Sequence, residues 1–329
     1  MQEVPVLLIT FNRPNHTRRV LETIIAAQPK ELYVFQDGAR EGNEDDLVKC
    51  ASVRDVIEEL LVGTNIELHK YYSPINLGCG AGPMTGIRWY FGQVEMGIVM
   101  EDDCLPHPDF FGYCEELLYR YKDDEKVRFI NATLYDGRWH CDASYDFSHY
   151  MVTGAWAGWK RAWEGFDLDL KDLDARAFRK HVLLLTGNRG EANWWYSIVK
   201  EIQQDKSKKS YWDFQMQIHL FKNCALTIHP KINLISNIGF DEAGTHTLSN
   251  EELRGNRDIY PILPLIHPTS MTVDLDRDMR CWAKTKSNGW IKDSINYLYQ
   301  SLLFSNGIGH KLLMGYKRVR GRGVNSSKI

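Results

Sequence analysis

Apolar runs of strand length alternate with helical patterns through the first hundred residues, and this alternation constrains the fold more than any other feature. Val4–Thr10 and Gly97–Met100 are apolar at nearly every position, as strands buried on both faces are. Between them, Pro14–Ala27 carries apolar residues at helical spacing, and Leu32–Phe35 and Ile66–Tyr71 are typical of further short strands. Strands that alternate with helices predict an α/β fold with a mostly parallel sheet.

Composition excludes several classes of protein. The 329 residues suit one large domain or two smaller ones, and a net charge of −3 gives no reason to expect nucleic-acid binding. The seven cysteines form no Cys-x-x-Cys pair and their number is odd, which argues against a zinc site or a disulfide framework. No segment approaches the roughly 20 apolar residues that span a bilayer. These features predict a cytoplasmic protein.

Polar residues follow the predicted strands at one edge of the sheet: Thr10, Asn12, Arg13, Asp37, Glu101, Asp102 and Asp103. A Gly-rich loop, Asn76–Gly82, enters at the same edge. Open α/β sheets bind ligands at the carboxyl ends of their strands, and this mixture of residues suits a diphosphate held through a metal ion. The alternatives are an acidic turn before the helix that begins near Pro108, and a tight turn at the glycines.

Four blocks of sequence, in order within roughly residues 4–250, carry a resemblance to a known family. They are Phe11–Arg13 with Thr17–Arg19, Gln36–Gly38, Arg88–Gln93 running into Val99–Leu105 and Pro108–Phe111, and Tyr211–Asp213 followed by Pro230–Asn233. The chain resembles nucleotide-sugar-dependent glycosyltransferases of the GT-A fold, broadly the family 2-like group, and looks most like the N-acetylglucosaminyltransferase I type. The resemblance implies an α/β, Rossmann-like fold with a mostly parallel twisted sheet flanked by helices. We expect a helical extension at the C-terminus, which the resemblance does not cover.

The resemblance also implies roles for residues at the matched positions. Asp103 would coordinate Mn²⁺ or Mg²⁺ at the diphosphate, and His246 is a second candidate for the metal or the diphosphate. Glu101 and Asp102 would hydrogen-bond the donor sugar and the ribose. Asp213 would be the base that deprotonates the acceptor hydroxyl group. The other positions expected to bind the donor are Thr10, Asn12, Arg13, Asp37, Asn76, Gly78 and Trp156, with Asp37 near the base of the nucleotide.

Several of these positions also have a purely structural interpretation. Asp213 is suited to cap the helix predicted after it, and Trp156 suits core packing as well as a ligand pocket. His246 lies in a segment that is typical of a surface loop. Because adjacent side chains of an extended segment point to opposite sides, we expect Asp102 and Asp103 to face different parts of a ligand.

The expected reaction is inverting transfer of a sugar from a nucleoside-diphosphate sugar, with a UDP-sugar as the expected donor, to a hydroxyl group of a glycan or lipid-linked acceptor. Two other classes of function remain open. A metal-dependent nucleotidyltransferase or phosphoesterase also places paired acids at a strand end. A catalytically silent nucleotide-sugar-binding protein would need no base at Asp213.

The predicted organisation separates a catalytic region from a C-terminal extension. The predicted regions are a catalytic domain over residues 1–250, with a nucleotide-sugar half over about 1–130 and an acceptor half over about 131–250, and an extension over 251–329. In the extension, Ser294–Phe304 is apolar and aromatic, and the residues from Lys311 onward are basic with no acidic residue. This end predicts either a peripheral contact with the inner face of an anionic membrane or a docking helix with a basic end.

Overall fold

The computed structural model describes residues 2–134, 142–204, 212–239, 255 and 257–285. The described strands are β1 Val6–Thr10, β2 Glu31–Gln36, β3 Glu67–Tyr72, β4 Met96–Glu101, β5 Cys104–Pro106, β6 Val127–Asn131, β7 Tyr145–Ser148, β8 Ala155–Trp159, β9 Leu226–Pro230 and β10 Ile235–Asn237. The described helices are α1 Pro14–Ala27, α2 Glu44–Leu61, α3 Gly78–Phe91, α4 Asp109–Arg120, α5 Ala175–Thr186, α6 Arg189–Gln204, α7 Asp213–Lys222 and α8 Leu275–Thr285, with a 3-10 helix at Lys160–Trp163.

Eight of the described strands form one sheet in the order β3-β2-β1-β4-β8-β6-β9-β7. The first four strands in this order are parallel to one another, and β6 is parallel to β9. Strand β8 runs antiparallel to β4 and β6, and β7 runs antiparallel to β9. Strands β5 and β10 form a separate antiparallel pair. The predicted fold class, an α/β Rossmann-like fold with a mostly parallel sheet flanked by helices, is confirmed.

Successive residues of the central strands pack on opposite faces of the sheet, as the pleat of a strand requires. Val6 and Leu8 of β1 contribute to a buried cluster with apolar residues of α1, α2 and α4. Leu7 and Ile9 contribute to a second cluster, with residues of α3 and α7. The sheet is therefore covered on both faces, which explains why its strands are apolar at nearly every position.

Helix α3 begins earlier than the predicted Gly-rich loop allows. We expected a loop over Asn76–Gly82, whereas the helix begins at Gly78. The Asp37 carboxylate accepts hydrogen bonds from the backbone N–H groups of Leu77 and Gly78, at 2.8 and 3.0 Å. A distant carboxylate thus satisfies helix-terminal donors that no side chain within the helix reaches.

The chain divides into two compact units. The first comprises residues 1–168 and 209–281 and contains the whole sheet. The second comprises residues 169–208 and 282–329, and in it α5 packs against α6. The domain boundary predicted at residue 250 lies outside the described residues and stays a prediction. Among the described helices, none combines the length and apolar character needed to cross a membrane.

Candidate functional site

Arg13 joins the ends of two neighbouring parallel strands. It follows β1, and its guanidinium Nη1 donates to Asp103 Oδ2 at 3.1 Å while Nη2 donates to Asp102 Oδ1, just beyond β4. The backbone N–H of Asp102 also bonds to the carbonyl oxygen of Ile9, at 3.1 Å. Asp102 is almost fully buried, whereas Arg13 and Asp103 are partly exposed, at 23% and 14%. The pairing of β1 with β4 therefore assembles a fixed cluster of one cation and two carboxylates.

Asp102 and Asp103 do not belong to an extended segment, from which we expected them to face different parts of a ligand. Strand β4 ends at Glu101, and Asp102 and Asp103 form a turn before β5. In a turn the alternation of an extended segment no longer holds, so a single guanidinium reaches both carboxylates. The separate roles expected for the two residues toward metal and ribose stay predictions.

The acidic groups around Arg13 outnumber it, and their mutual repulsion shifts their pKa values. Burial and the charges of Asp103 and Asp102 raise the pKa of Glu101 to about 8. Burial raises the pKa of Asp102 to about 6, against the opposing effect of Arg13. Burial alone would lower the pKa of Arg13, but the two aspartates outweigh it and the pKa is raised. One guanidinium balances the two aspartates, and a further cation would also stabilise the charged form of Glu101.

Asp213 lies close enough to this cluster to act on it electrostatically. It is the first residue of α7, it belongs to the same compact unit, and its charge contributes to the raised pKa of Glu101. The capping position of α7 is occupied by Trp212, which makes no side-chain cap hydrogen bond. Asp213 is therefore not the N-cap residue, although an acidic residue in a first helical turn is favourable.

The segment Asn237–Gly239 contacts Asp103, and it is not among the site residues that we predicted from the sequence. The N–H of Ile238 donates to the carbonyl oxygen of Asp103 at 2.8 Å, and Asn237 Nδ2 lies 3.5 Å from Asp103 Oδ1. A Cβ atom at Gly239 would clash with the Asp103 carboxylate and lie 3.0 Å from Arg13 Nη1. The pairing of β5 with β10 brings this segment to the site, and nothing in the local sequence indicates that pairing.

Asp37 organises the loop that follows β3. Its Oδ1 accepts hydrogen bonds from the N–H groups of Gly38 and Leu77, at 2.9 and 2.8 Å. Its Oδ2 accepts from the N–H of Gly78 at 3.0 Å and from Asn76 Nδ2 at 3.3 Å. The residue is 7% exposed, and burial raises its pKa while these backbone donors oppose the rise. Asp37, Asn76 and Gly78 thus lie together as predicted from their places at the sheet edge, and direct contact with a nucleotide stays a prediction.

Asn12 bonds to Asp46, which is also bonded to Arg40, and the sequence indicated a role for neither of these charged residues. Its Nδ2 donates to Asp46 Oδ1 at 2.7 Å, and Arg40 holds the same carboxylate with Nη2 at 2.8 Å and with Nε. The side chain of Asp46 is fully buried, and these contacts lower its pKa to about 2, with Arg40 as the main cause. Thr10 is also buried, and its hydroxyl group donates to the carbonyl oxygen of Phe35 at 3.2 Å.

Trp156 lies in the core of the sheet. It is 1% exposed, and its ring packs 4.4 Å from Phe129 and 6.5 Å from Trp212, measured between centroids. Of the two interpretations drawn from the sequence, this environment favours core packing. Trp212 directly precedes Asp213, so the aromatic cluster fixes the start of α7 and the position of its first residue.

The residues present fit a divalent cation that takes most of its ligands from a substrate. Among the described residues, no three His, Cys, Asp or Glu side chains are grouped to hold a metal ion by themselves. Asp103 presents a partly exposed carboxylate next to the buried carboxylate of Asp102. Mg²⁺ and Mn²⁺ bind through one or two carboxylates together with phosphate oxygens and water. The other metal candidate, His246, lies outside the described residues.

No family model matches the chain. Among solved structures, it is similar to 4-diphosphocytidyl-2C-methyl-D-erythritol synthase from Anaerococcus prevotii, with 12% identity, a TM-score of 0.31, and coverage of 49% of this chain and 73% of that one. It is also similar to a UDP-glucose pyrophosphorylase complexed with UDP-glucose, with 12% identity, a TM-score of 0.30, and coverage of 49% and 78%. A third is HddC from Yersinia pseudotuberculosis, with 9% identity, a TM-score of 0.28, and coverage of 48% and 78%. Because these likenesses are weak, the fold assignment rests on the strand order alone.

Proposed function

We propose that this protein is a metal-dependent inverting glycosyltransferase. It moves a sugar from a nucleoside-diphosphate sugar, with a UDP-sugar as the expected donor, to a hydroxyl group of a glycan or lipid-linked acceptor. The observation that supports this most is the cluster in which Arg13 donates hydrogen bonds to both Asp102 and Asp103. Asp213 lies near this cluster, because its charge contributes to the raised pKa of Glu101. The cluster lies at the carboxyl ends of β1 and β4, where open α/β sheets bind their ligands.

The arrangement of charges suits departure of a diphosphate. Arg13 is a permanent cation at the strand ends, and its guanidinium matches the oxygens of a phosphate group in shape. A divalent ion held by Asp103 would supply further neutralisation of the charge that grows on the leaving diphosphate. Without a metal ion, the carboxylates of the cluster repel a phosphate group. We therefore expect binding of the nucleotide-sugar donor to depend on the divalent ion.

Asp213 is suited to the role of catalytic base. It lies in the first turn of α7, beside the cluster, and its position is fixed by the buried Trp212 before it. A carboxylate here would accept the proton of an acceptor hydroxyl group as the oxygen attacks the anomeric carbon on the face opposite the diphosphate. This geometry implies inversion of the anomeric configuration. A protein that only binds nucleotide sugars has no need of such a base.

Turnover of nucleotide sugars tests this proposal and separates it from its alternatives. The protein is incubated with Mn²⁺ and a panel of nucleotide sugars, and the slow release of sugar to water is followed by NMR. We expect a nucleoside diphosphate and a sugar of inverted configuration, and a rate reduced about 10²-fold or more in Asp213→Asn, which still binds the nucleotide. Retained configuration contradicts the role of Asp213. Pyrophosphate formed from a nucleoside triphosphate and a sugar phosphate favours a nucleotidyltransferase, and binding without turnover favours a silent binder.

Contact of the C-terminal end with a membrane forms part of the same proposal. The apolar and basic segments that suggest it lie in residues 286–329, outside the described residues. A peripheral contact would suit an enzyme that acts on a lipid-linked acceptor. Truncation after Asn288 is expected to abolish binding to vesicles that contain anionic lipid, and vesicle binding that survives the truncation contradicts this part.

A further inference from the structure

The carboxylate of Asp37 has no acceptor position left for a ligand. A carboxylate accepts about four hydrogen bonds, two at each oxygen. Asp37 already accepts four, from the backbone of Gly38, Leu77 and Gly78 and from the side chain of Asn76. The residue that follows β2 and was expected near the base of a nucleotide is thus occupied in holding the start of α3. Recognition of the base falls to other residues at this edge.

Arg40 is held rigidly and is nevertheless open to solvent. Its Nε and Nη2 both bond to the carboxylate of Asp46, which is fully buried, while the arginine side chain is 51% exposed. Asp46 is fixed in turn, because its backbone N–H donates to the Oδ1 of Asn43 at 3.0 Å and its side chain also accepts from Asn12. One edge of the guanidinium is therefore committed to the protein and the other faces outward, so little conformational entropy is lost when a ligand binds it.

The ring of Phe11 lies under the guanidinium of Arg40. The guanidinium carbon of Arg40 lies 5.8 Å from the centroid of the Phe11 ring. The carbonyl oxygen of Phe11 accepts a hydrogen bond at 3.0 Å from Gln36, whose side chain is fully buried at the end of β2. The guanidinium thus lies over an aromatic ring, and its N–H groups that do not bond to Asp46 can donate to the ring carbonyl oxygens of a planar heterocycle.

The strand order places these two side chains next to the Arg13–Asp103 pair, on its β2 side. In the order β2-β1-β4, the Arg13–Asp103 pair lies between β1 and β4, whereas Arg40 and Phe11 lie on the β2 side of β1. Resting on the proposed function, we propose that Arg40, positioned by Asp46 beside Phe11, binds the base of the nucleotide. Asp37 then acts as a positioning residue for the neighbouring loop.

Binding measurements with split ligands test this assignment. Calorimetric titrations in the presence of Mn²⁺ use UDP, GDP and inorganic pyrophosphate against the wild type, Arg40→Ala, Arg40→Lys and Arg18→Ala. Arg18 is the matched control, because it makes the same two-bond contact to an acidic residue of α2, Glu59, on the surface. We expect Arg40→Ala and Arg40→Lys to weaken the better nucleoside diphosphate about tenfold, with pyrophosphate and the Arg18 variant unchanged. Arg40→Lys keeps a positive charge that can pair with Asp46. It therefore measures the contribution of the guanidinium to nucleotide binding even where Arg40→Ala folds poorly.

The outcomes separate this inference from the proposed function. Wild-type affinity for the nucleoside diphosphate in both Arg40 variants overturns the assignment of Arg40. An equal loss for pyrophosphate also overturns it, because the contact would then be with phosphate. If the wild type binds no nucleoside diphosphate with Mn²⁺, the proposed function fails and the inference fails with it.

Discussion

Arg13 Nη1 donates to Asp103 Oδ2 at 3.1 Å, so the cation expected at a diphosphate and the carboxylate expected on a metal are bonded to each other. The pair shows how one site can serve two ligands. A metal ion that binds Asp103 competes with Arg13 for that carboxylate, and an arginine released in this way can turn to a phosphate oxygen. Arrival of a metal and arrival of a diphosphate are therefore expected to favour each other.

Removal of Arg13 should expose the repulsion within the acidic cluster. Arg13→Ala leaves Glu101, Asp102 and Asp103 without their cation, and we expect a loss of about 2 kcal/mol in the free energy of unfolding. Added Mn²⁺ should restore more stability in this variant than in the wild type, because the ion replaces the missing charge. Thermal denaturation with and without Mn²⁺ measures both effects. Equal stability of variant and wild type without the metal would show that the bridge is unimportant to the cluster.

Asp37 is expected to matter for stability through the start of α3. Asp37→Ala leaves three backbone N–H groups without their acceptor, which should cost about 2–4 kcal/mol, while the Asn76 amide keeps its bond to the Gly38 carbonyl oxygen. Urea unfolding measures the change. Asp45→Ala is the matched control, because Asp45 is an exposed residue whose ion pair is with Lys49 in the same helix, and its loss should cost less than about 0.5 kcal/mol. Similar losses in both variants contradict the role given to Asp37.

A single methyl group at Gly239 should disturb the site without unfolding the protein. In Gly239→Ala the new Cβ meets the Asp103 carboxylate and lies 3.0 Å from Arg13 Nη1, so one of these side chains shifts. We expect metal-dependent nucleotide binding to weaken about tenfold while the melting temperature changes by a few degrees at most. Titration calorimetry and thermal denaturation of the same preparation give the two values. Unchanged nucleotide binding would show that Asp103 is not needed in its present position.

Buried histidines should make the fold sensitive to mild acid. Burial and the charge of Arg277 lower the pKa of His229 to about 3, although its hydrogen bond to the Tyr150 carbonyl opposes the shift. The unfolded chain binds a proton at this residue near its ordinary pKa of 6.5, and the folded chain does so only near pH 3. Stability is therefore complete above about pH 6.5 and declines as the pH falls toward 3.

The variant His229→Gln directly tests the expected loss of stability at lower pH. Glutamine keeps a donor for the Tyr150 carbonyl and does not titrate, so stability should fall less between about pH 7 and pH 5 than in the wild type. Some dependence on pH should persist, because burial and nearby Lys222 lower the pKa of His219 to about 4. An unchanged pH dependence of urea unfolding would contradict the account of His229.

The sequence predicted the sheet edge well and the contacts within it poorly. The apolar runs that end at Thr10 and Glu101 locate two strand ends, and parallel pairing then brings Arg13 to the acidic turn. The shared orientation of Asp102 and Asp103 depends on the turn that ends β4, which a period of two cannot anticipate.

Other features depend on tertiary contacts that leave no local signal. The bond between Asn12 and Asp46 requires the start of α2 to lie against the turn after β1, and Asp37 reaches a loop forty residues further along the chain. Gly239 reaches Asp103 only through the pairing of β10 with β5. Such contacts are set by the packing of the sheet and its helices, so residue types and spacing alone did not reveal them.

Titration of a nucleoside diphosphate into the wild type and Asp103→Asn, each with and without Mn²⁺, tests the central claim most directly. The substitution keeps the size of the side chain and removes the negative charge that a divalent ion requires. We predict that Mn²⁺ strengthens binding of UDP or GDP to the wild type by about tenfold or more, and that this gain is lost in Asp103→Asn. An equal gain from Mn²⁺ in both proteins, or no gain in the wild type, would contradict a metal–diphosphate site at Asp103.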